Sequence, residues 1–140
     1  MAGERLRFAI PDLVSNSYFP AIAVVEFGYL QDQGYDASLE LLYPVPATMA
    51  ALRDGNLDFV AGAAHATLTA FPEWQGGKLL AALAQHMYWF LVLRSDLGAG
   101  RGDLQAIKGL RIGAAPGVDL GLHQLLLDAG MDPAGYAAGN

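Results

Sequence analysis

The sequence contains no cysteine. That excludes disulfides, thiolate metal sites and cysteine nucleophiles, and it leaves the redox compartment open. Charge is scarce too: 16% of residues are charged, where about 25% is usual. The eight basic residues (Arg5, Arg7, Arg53, Lys78, Arg94, Arg101, Lys108, Arg111) are dispersed and the net charge is −6. The basic stripe a nucleic acid requires is therefore missing, and no nucleic-acid partner is expected. No apolar run reaches the ~18 residues of a helical membrane span. The run from Met87 to Leu93 stops at Arg94, so no direct membrane insertion is expected.

Serine occurs only at positions 15, 17, 38 and 95. The phosphate-binding Gly-x-x-x-x-Gly-Lys-Ser/Thr, His-Glu-x-x-His and Gly-x-Ser-x-Gly patterns are all missing, and Gly98-Ala-Gly-Arg-Gly102 does not match the dinucleotide fingerprint. No nucleophile and base pair emerges. His123, four residues after Asp119, has no third ligand in sight, so neither a metal nor a cofactor is expected.

What the chain has in excess is apolar material. Hydrophobic residues make up 54% before its 17 glycines are added, against a norm of about 45–50% with glycine included. A chain of 140 residues is about one domain by length. It has little polar material to coat a small sphere, so cover by further protein is expected. The start, Met-Ala-Gly-Glu-Arg-Leu-Arg, lacks the apolar core of a secretory signal. The expectation is a cytoplasmic protein, or a periplasmic or extracytoplasmic one in mature form.

Along the chain, the apolar run ending at Ile10 predicts a strand. The polar turn Ser15-Asn16-Ser17 follows, with Ser17 expected to cap a helix whose first turn holds Tyr18, Phe19 and Pro20 and whose stop is Gly34. The stretch from Ala21 to Leu30 has Glu26 as its sole charge, which predicts a helix buried on most sides. Ala37–Tyr43 predicts a second strand, Ala47–Asp54 a helix stopped by Gly55, Leu57–Ala61 a third strand, and His65–Phe71 a helix closed by Pro72. Lys78–Ala84 predicts a fourth strand. Tyr88–Leu93 follows too closely for a helical crossover and predicts a crossing or antiparallel strand of core residues. A glycine-rich loop spans 95–105, and a new strand at 110–115 leads into a helix from Asp119 to Ala129 stopped by Gly130. Strands alternating with helices give an α/β class with a mostly parallel sheet flanked by helices. A single strand and helix in the last block cannot form a core, which predicts an N-terminal piece of a protein about twice as long.

The ordered series formed by the Leu6–Ile10 strand with its polar turn, EFGYLQDQGYDASLELL (26–42), ALRDGNLDFVAGAAH (51–65) and LQAIKGLRIGAAPG (104–117) resembles type II periplasmic binding proteins. The resemblance is to the group holding nitrate, sulfonate, taurine and thiamine-pyrimidine-precursor receptors, and it covers nearly the whole chain. It implies lobe one at 1–93, a hinge or linker at 94–105 and the beginning of lobe two at 106–140. It implies a solute-binding protein of an ABC-type transporter, partnered by a membrane permease and an ATPase, with a small anionic or aromatic organic ligand in an inter-lobe cleft. The same scaffold also resembles enzymes, pyrimidine-precursor synthases and small-acid decarboxylases, and a cytoplasmic enzyme of that kind is the alternative. Those synthases carry a cysteine-rich motif and hold their cofactor on a lysine, and this chain has no cysteine.

In open parallel sheets, ligands sit beyond the carboxyl ends of the strands. The candidate ligand contacts are accordingly Ser15, Asn16 and Tyr18 after the first strand, Tyr43 after the second, Ala64 and His65 after the third, and His86 and Tyr88 near the fourth. Pro116, Gly117 and Asp119 are the candidates in the last block. Small residues at 62–64 are expected to let a ligand approach the backbone, and helix N-termini there favour an anion. No catalytic residue is assigned.

Overall fold

Leu6, Phe8 and Ile10 alternate with Arg5, Arg7 and Ala9, the period of a strand. In the computed structural model, which describes residues 3–71, 73, 75–86, 89–115, 117–136 and 138–139, they form β1 (Glu4–Ile10). The chain divides into two compact units, residues 1–85 and 86–140.

In the first unit a 3-10 turn at Asn16–Tyr18 leads into α1 (Phe19–Glu26) and α2 (Tyr29–Asp32). Then come β2 (Tyr35–Leu41), α3 (Val45–Arg53), β3 (Phe59–Val60) and α4 (Ala64–Ala70). The fold is mixed α/β, with a small three-stranded parallel sheet in the order β2-β1-β3 and helices flanking it. Register runs from Glu4 opposite Tyr35 to Ile10 opposite Leu41, and from Phe8 opposite Phe59 to Ala9 opposite Val60. β1 is central, and its last residues Ala9 and Ile10 are fully buried. Ile10, Tyr18, Ala21 and Ala61 form the core, with Ile22 and Leu39 packed against it. The core therefore lies at the carboxyl end of the sheet, directly beneath the loops that follow the strands.

Several sequence expectations change. The long helix is two helices, because Gly28 adopts φ +77°, a left-handed conformation that ends α1 as a C-terminal cap does. Of α1 only Ala21 is buried. Phe19 and Phe27 are exposed, so the helix is not covered on most sides. Lys78–Ala84 is not a strand: it has no regular structure and its leucines face out. Leu and Ala favour helix over strand, and β3 offers an edge only two residues long, so nothing holds the segment extended in a ladder. Residues 89–93 are not a strand either, and Phe90 is 88% exposed rather than core.

In the second unit two 3-10 turns (Ser95–Leu97 and Leu104–Ile107) precede β4 (Ile112–Gly113) and α5 (Val118–Asp128). β4 pairs in parallel with β5 (Ala138–Gly139). Its core is Ile107, Leu126 and Met131, packed by Leu91, Leu93, Leu104, Ile112, Leu122 and Tyr136. Leu122 and Leu126, four apart, share one face of α5, while Leu120, Leu125 and Leu127 stay exposed.

Candidate functional site at the sheet edge

With the order β2-β1-β3, the connection from β1 goes to one side of the sheet and β3 lies on the other. The loops after β1 and β3 thus flank a point where strand order reverses, the place where open α/β sheets hold ligands. Loops 11–18, 42–44 and 61–63 all leave the same sheet edge. Ser15, Asn16, Tyr18, Tyr43, Ala64 and His65 lie on or next to the segments that follow these three strands. His86, Gly117 and Asp119 belong to the second unit. Tyr88 and Pro116 lie outside the described residues.

The first loop is organised by a residue that sequence reasoning passed over, Asp12. Its Oδ1 accepts the N–H groups of Val14 (2.9 Å) and Ser15 (2.7 Å), and its Oδ2 accepts the Ser15 hydroxyl (2.8 Å). Asp12 was legible in principle, since an aspartate after proline bonding the backbone two residues on is the signature of an Asx-turn. Partial burial pushes its carboxyl up, but the Ser15 N–H, the Ser15 hydroxyl and the Val14 N–H outweigh this, and the group sits below the ordinary carboxylate range. Ser15 is spent on this turn, and its carbonyl also accepts the Tyr18 N–H at 3.0 Å. Asn16 is exposed at the start of the 3-10 turn. Tyr18 packs in the core at 6% exposure.

Ser17 does not cap α1. Position 18 is the N-cap, no side chain bonds there, and the Ser17 hydroxyl oxygen is buried with no hydrogen-bond partner among the described residues. Ser17 lies within the 3-10 turn (Asn16–Tyr18) that precedes α1, which moves the N-cap position on to Tyr18. A buried hydroxyl left unpaired costs about 1–3 kcal/mol.

The second loop carries Tyr43, which is 68% exposed. Behind it the wholly buried Thr48 donates its hydroxyl to the Leu42 carbonyl. The N–H groups of Ala47 (2.9 Å) and Thr48 (3.2 Å) both bond the Pro44 carbonyl. In the third loop, the expected space for a ligand beside Gly62 is taken: a Cβ there would come within 2.9 Å of Met49 Cε and 3.4 Å of Val60 Cγ1. Ala64 is exposed and His65 half-buried at the start of α4. In the second unit, Gly117 is the left-handed N-cap of α5 (φ +89°), and its N–H is bonded by Asp119 Oδ1 at 2.9 Å. His86 is exposed with φ +67°.

Among the described residues no three His, Cys, Asp or Glu side chains are placed to hold a metal, and no helix is long and apolar enough to cross a membrane. No protein-family model matches the chain, and no curated protein matches its sequence.

Proposed function

We propose that the chain is ligand-binding material of a solute receptor, built like a type II periplasmic binding protein and working with a permease and an ATPase in ABC-type import. The observation that supports this reading is the parallel order β2-β1-β3, which sets three strand-to-helix loops on one edge at a reversal of strand order. Such a receptor works in an extracytoplasmic compartment and needs no catalytic residue.

The experiment is calorimetry of the full chain against small acids, amines and neutral aromatics. Binding of at least one, lost when Ser17 and Asn16 are both replaced by alanine, is the expected result. A folded sample that binds none of the three classes would count decisively against the receptor reading.

A further inference from the structure

Residues 89–94 of the second unit carry the side-chain alternation of a strand without a strand's partner. Trp89, Leu91 and Leu93 are half-buried, whereas Phe90, Val92 and Arg94 are exposed, Phe90 at 88% and Val92 at 83%. That is the period of two that a strand imposes. Leu91 and Leu93 pack against the core of Ile107, Leu126 and Met131, so packing already fixes which side chains point out. Yet Phe90, Leu91, Val92 and Leu93 make no main-chain hydrogen bond among the described residues. Main-chain N–H and C=O groups are obligatory hydrogen-bonding groups, and an open row of them beside apolar side chains is a template for another extended chain. A helix end or a small molecule serves one or two such groups; a strand serves the row.

The side chains that would lie opposite decide which strand fits. Pairing the segment antiparallel with itself, about a two-fold axis at Leu91, sets Phe90 opposite Val92 and Trp89 opposite Leu93, each twice. An aromatic ring opposite a β-branched side chain is a favourable cross-strand pair. No charge falls within 89–93, and Arg94 at its end is held by Asp96 of its own chain at 3.1 Å. Phenylalanine, tryptophan and valine are also the residue types that strands favour.

The long free edge of the first unit is built the other way. β2 lies at the border of its sheet, and the same two-fold pairing about its central residue Ser38 would set the exposed Asp36 opposite the exposed Glu40, also twice. Like charges directly opposite each other are destabilising, and charged side chains are a usual guard of an edge strand. Charge therefore sets β2 against its own copy in that pairing and leaves 89–93 open to its own.

We propose that residues 89–93 pair with the same residues of a second copy of this chain, antiparallel about Leu91, and so join two second units in a two-fold dimer. A two-fold contact uses the same patch on both copies and stops at two. Stable interfaces use about 20–30 residues a side; the short run 89–93 falls well below that, so the dimer is weak and forms and dissociates with concentration. The pairing is independent of the receptor reading, which concerns the first unit.

The test is sedimentation velocity of the full chain over a concentration series, with amide hydrogen exchange measured at its two ends. Mass should rise from one copy to two and no further, and every second amide of residues 90–93 should exchange more slowly in the concentrated sample. Val92→Glu, at an exposed position, sets a carboxylate against the other copy's Phe90 and should move the midpoint at least about tenfold higher in concentration. Asp36→Asn should leave the midpoint in place; a shift there would give the contact to β2 and overturn the proposal. A chain that stays one copy throughout overturns it too, as does a mass that grows past two, or a dimer that Val92→Glu leaves unchanged. Should Val92→Glu fail to fold, the exchange pattern of the natural sequence decides: slowing at 90–93 with concentration upholds the pairing, and unchanged exchange there overturns it.

Discussion

The carboxylate of Asp58 grips Arg7 by main chain and side chain at once. Its Oδ2 accepts the Arg7 backbone N–H at 2.8 Å and Nε at 3.0 Å, and its Oδ1 accepts Nη2 at 2.9 Å. The Asp58 N–H in turn donates to the Arg7 carbonyl at 2.9 Å. This clasp starts β3 alongside β1, one residue before the rings of Phe8 and Phe59 stack at 4.6 Å. Because β3 has only two ladder residues, the clasp and the stacked rings keep it in register.

The clasp predicts acid sensitivity. Arg7's side chain and backbone N–H hold the Asp58 carboxyl at about 2, below its ordinary 3.8. A carboxyl that holds its proton less readily folded than unfolded adds stability while ionised. That contribution is complete above the ordinary value and drains away as pH falls through the interval down to about 2. Asp12 acts in the same direction. The urea midpoint should therefore fall across this interval and fall less steeply in Asp58→Asn; equal slopes would remove the clasp from the account.

Ser17→Ala separates two roles by sign. Removing a buried hydroxyl that has no partner should leave the unliganded chain as stable or up to about 1–3 kcal/mol more stable. A helix cap would instead cost ~1 kcal/mol on the same substitution. Thermal melts without ligand decide between them.

Thr48→Val keeps the shape of a wholly buried side chain and deletes its hydroxyl. The Leu42 carbonyl then loses its partner from Thr48, and denaturant unfolding should show a loss of about 1–3 kcal/mol. A loss under a few tenths would mean that water replaces the hydroxyl at that carbonyl.

Each unit has its own core, so truncations should act locally. Ile10→Ala in the first core and Leu126→Ala in the second should each cost about 2–5 kcal/mol. Hydrogen exchange should quicken in β1, β2 and β3 for the former and in α5 for the latter. Equal acceleration in both units from either substitution would contradict two separate cores.

Much of the fold could be read from the chain because its signals are local. Gly34, Gly55 and Gly130 end helices at positive φ where their positions predict, and the period-two pattern of Leu6, Phe8 and Ile10 yields the central strand. The places of the loops after β1, β2 and β3 followed from the strand and helix order alone. Where reading failed, the deciding interaction was distant or competing. Lys78–Ala84 has the apolar composition of a buried strand, but a strand exists only with a ladder partner. Ser17 has the right type and position for a cap, but the 3-10 turn closed by Ser15 and Tyr18 shifts the N-cap on to Tyr18.

By itself, then, the sequence determined the α/β alternation of the first unit, the glycine helix stops and the exclusion of thiol chemistry. These depend on backbone geometry and side-chain type over a few residues. Only the tertiary structure decided that Asp12 and not Ser17 organises the first loop, that Met49 fills the space beside Gly62, and that Asp58 reaches back to Arg7. Those outcomes depend on which groups compete for the same donors and the same volume once distant segments meet, and that competition has no signature in local pattern.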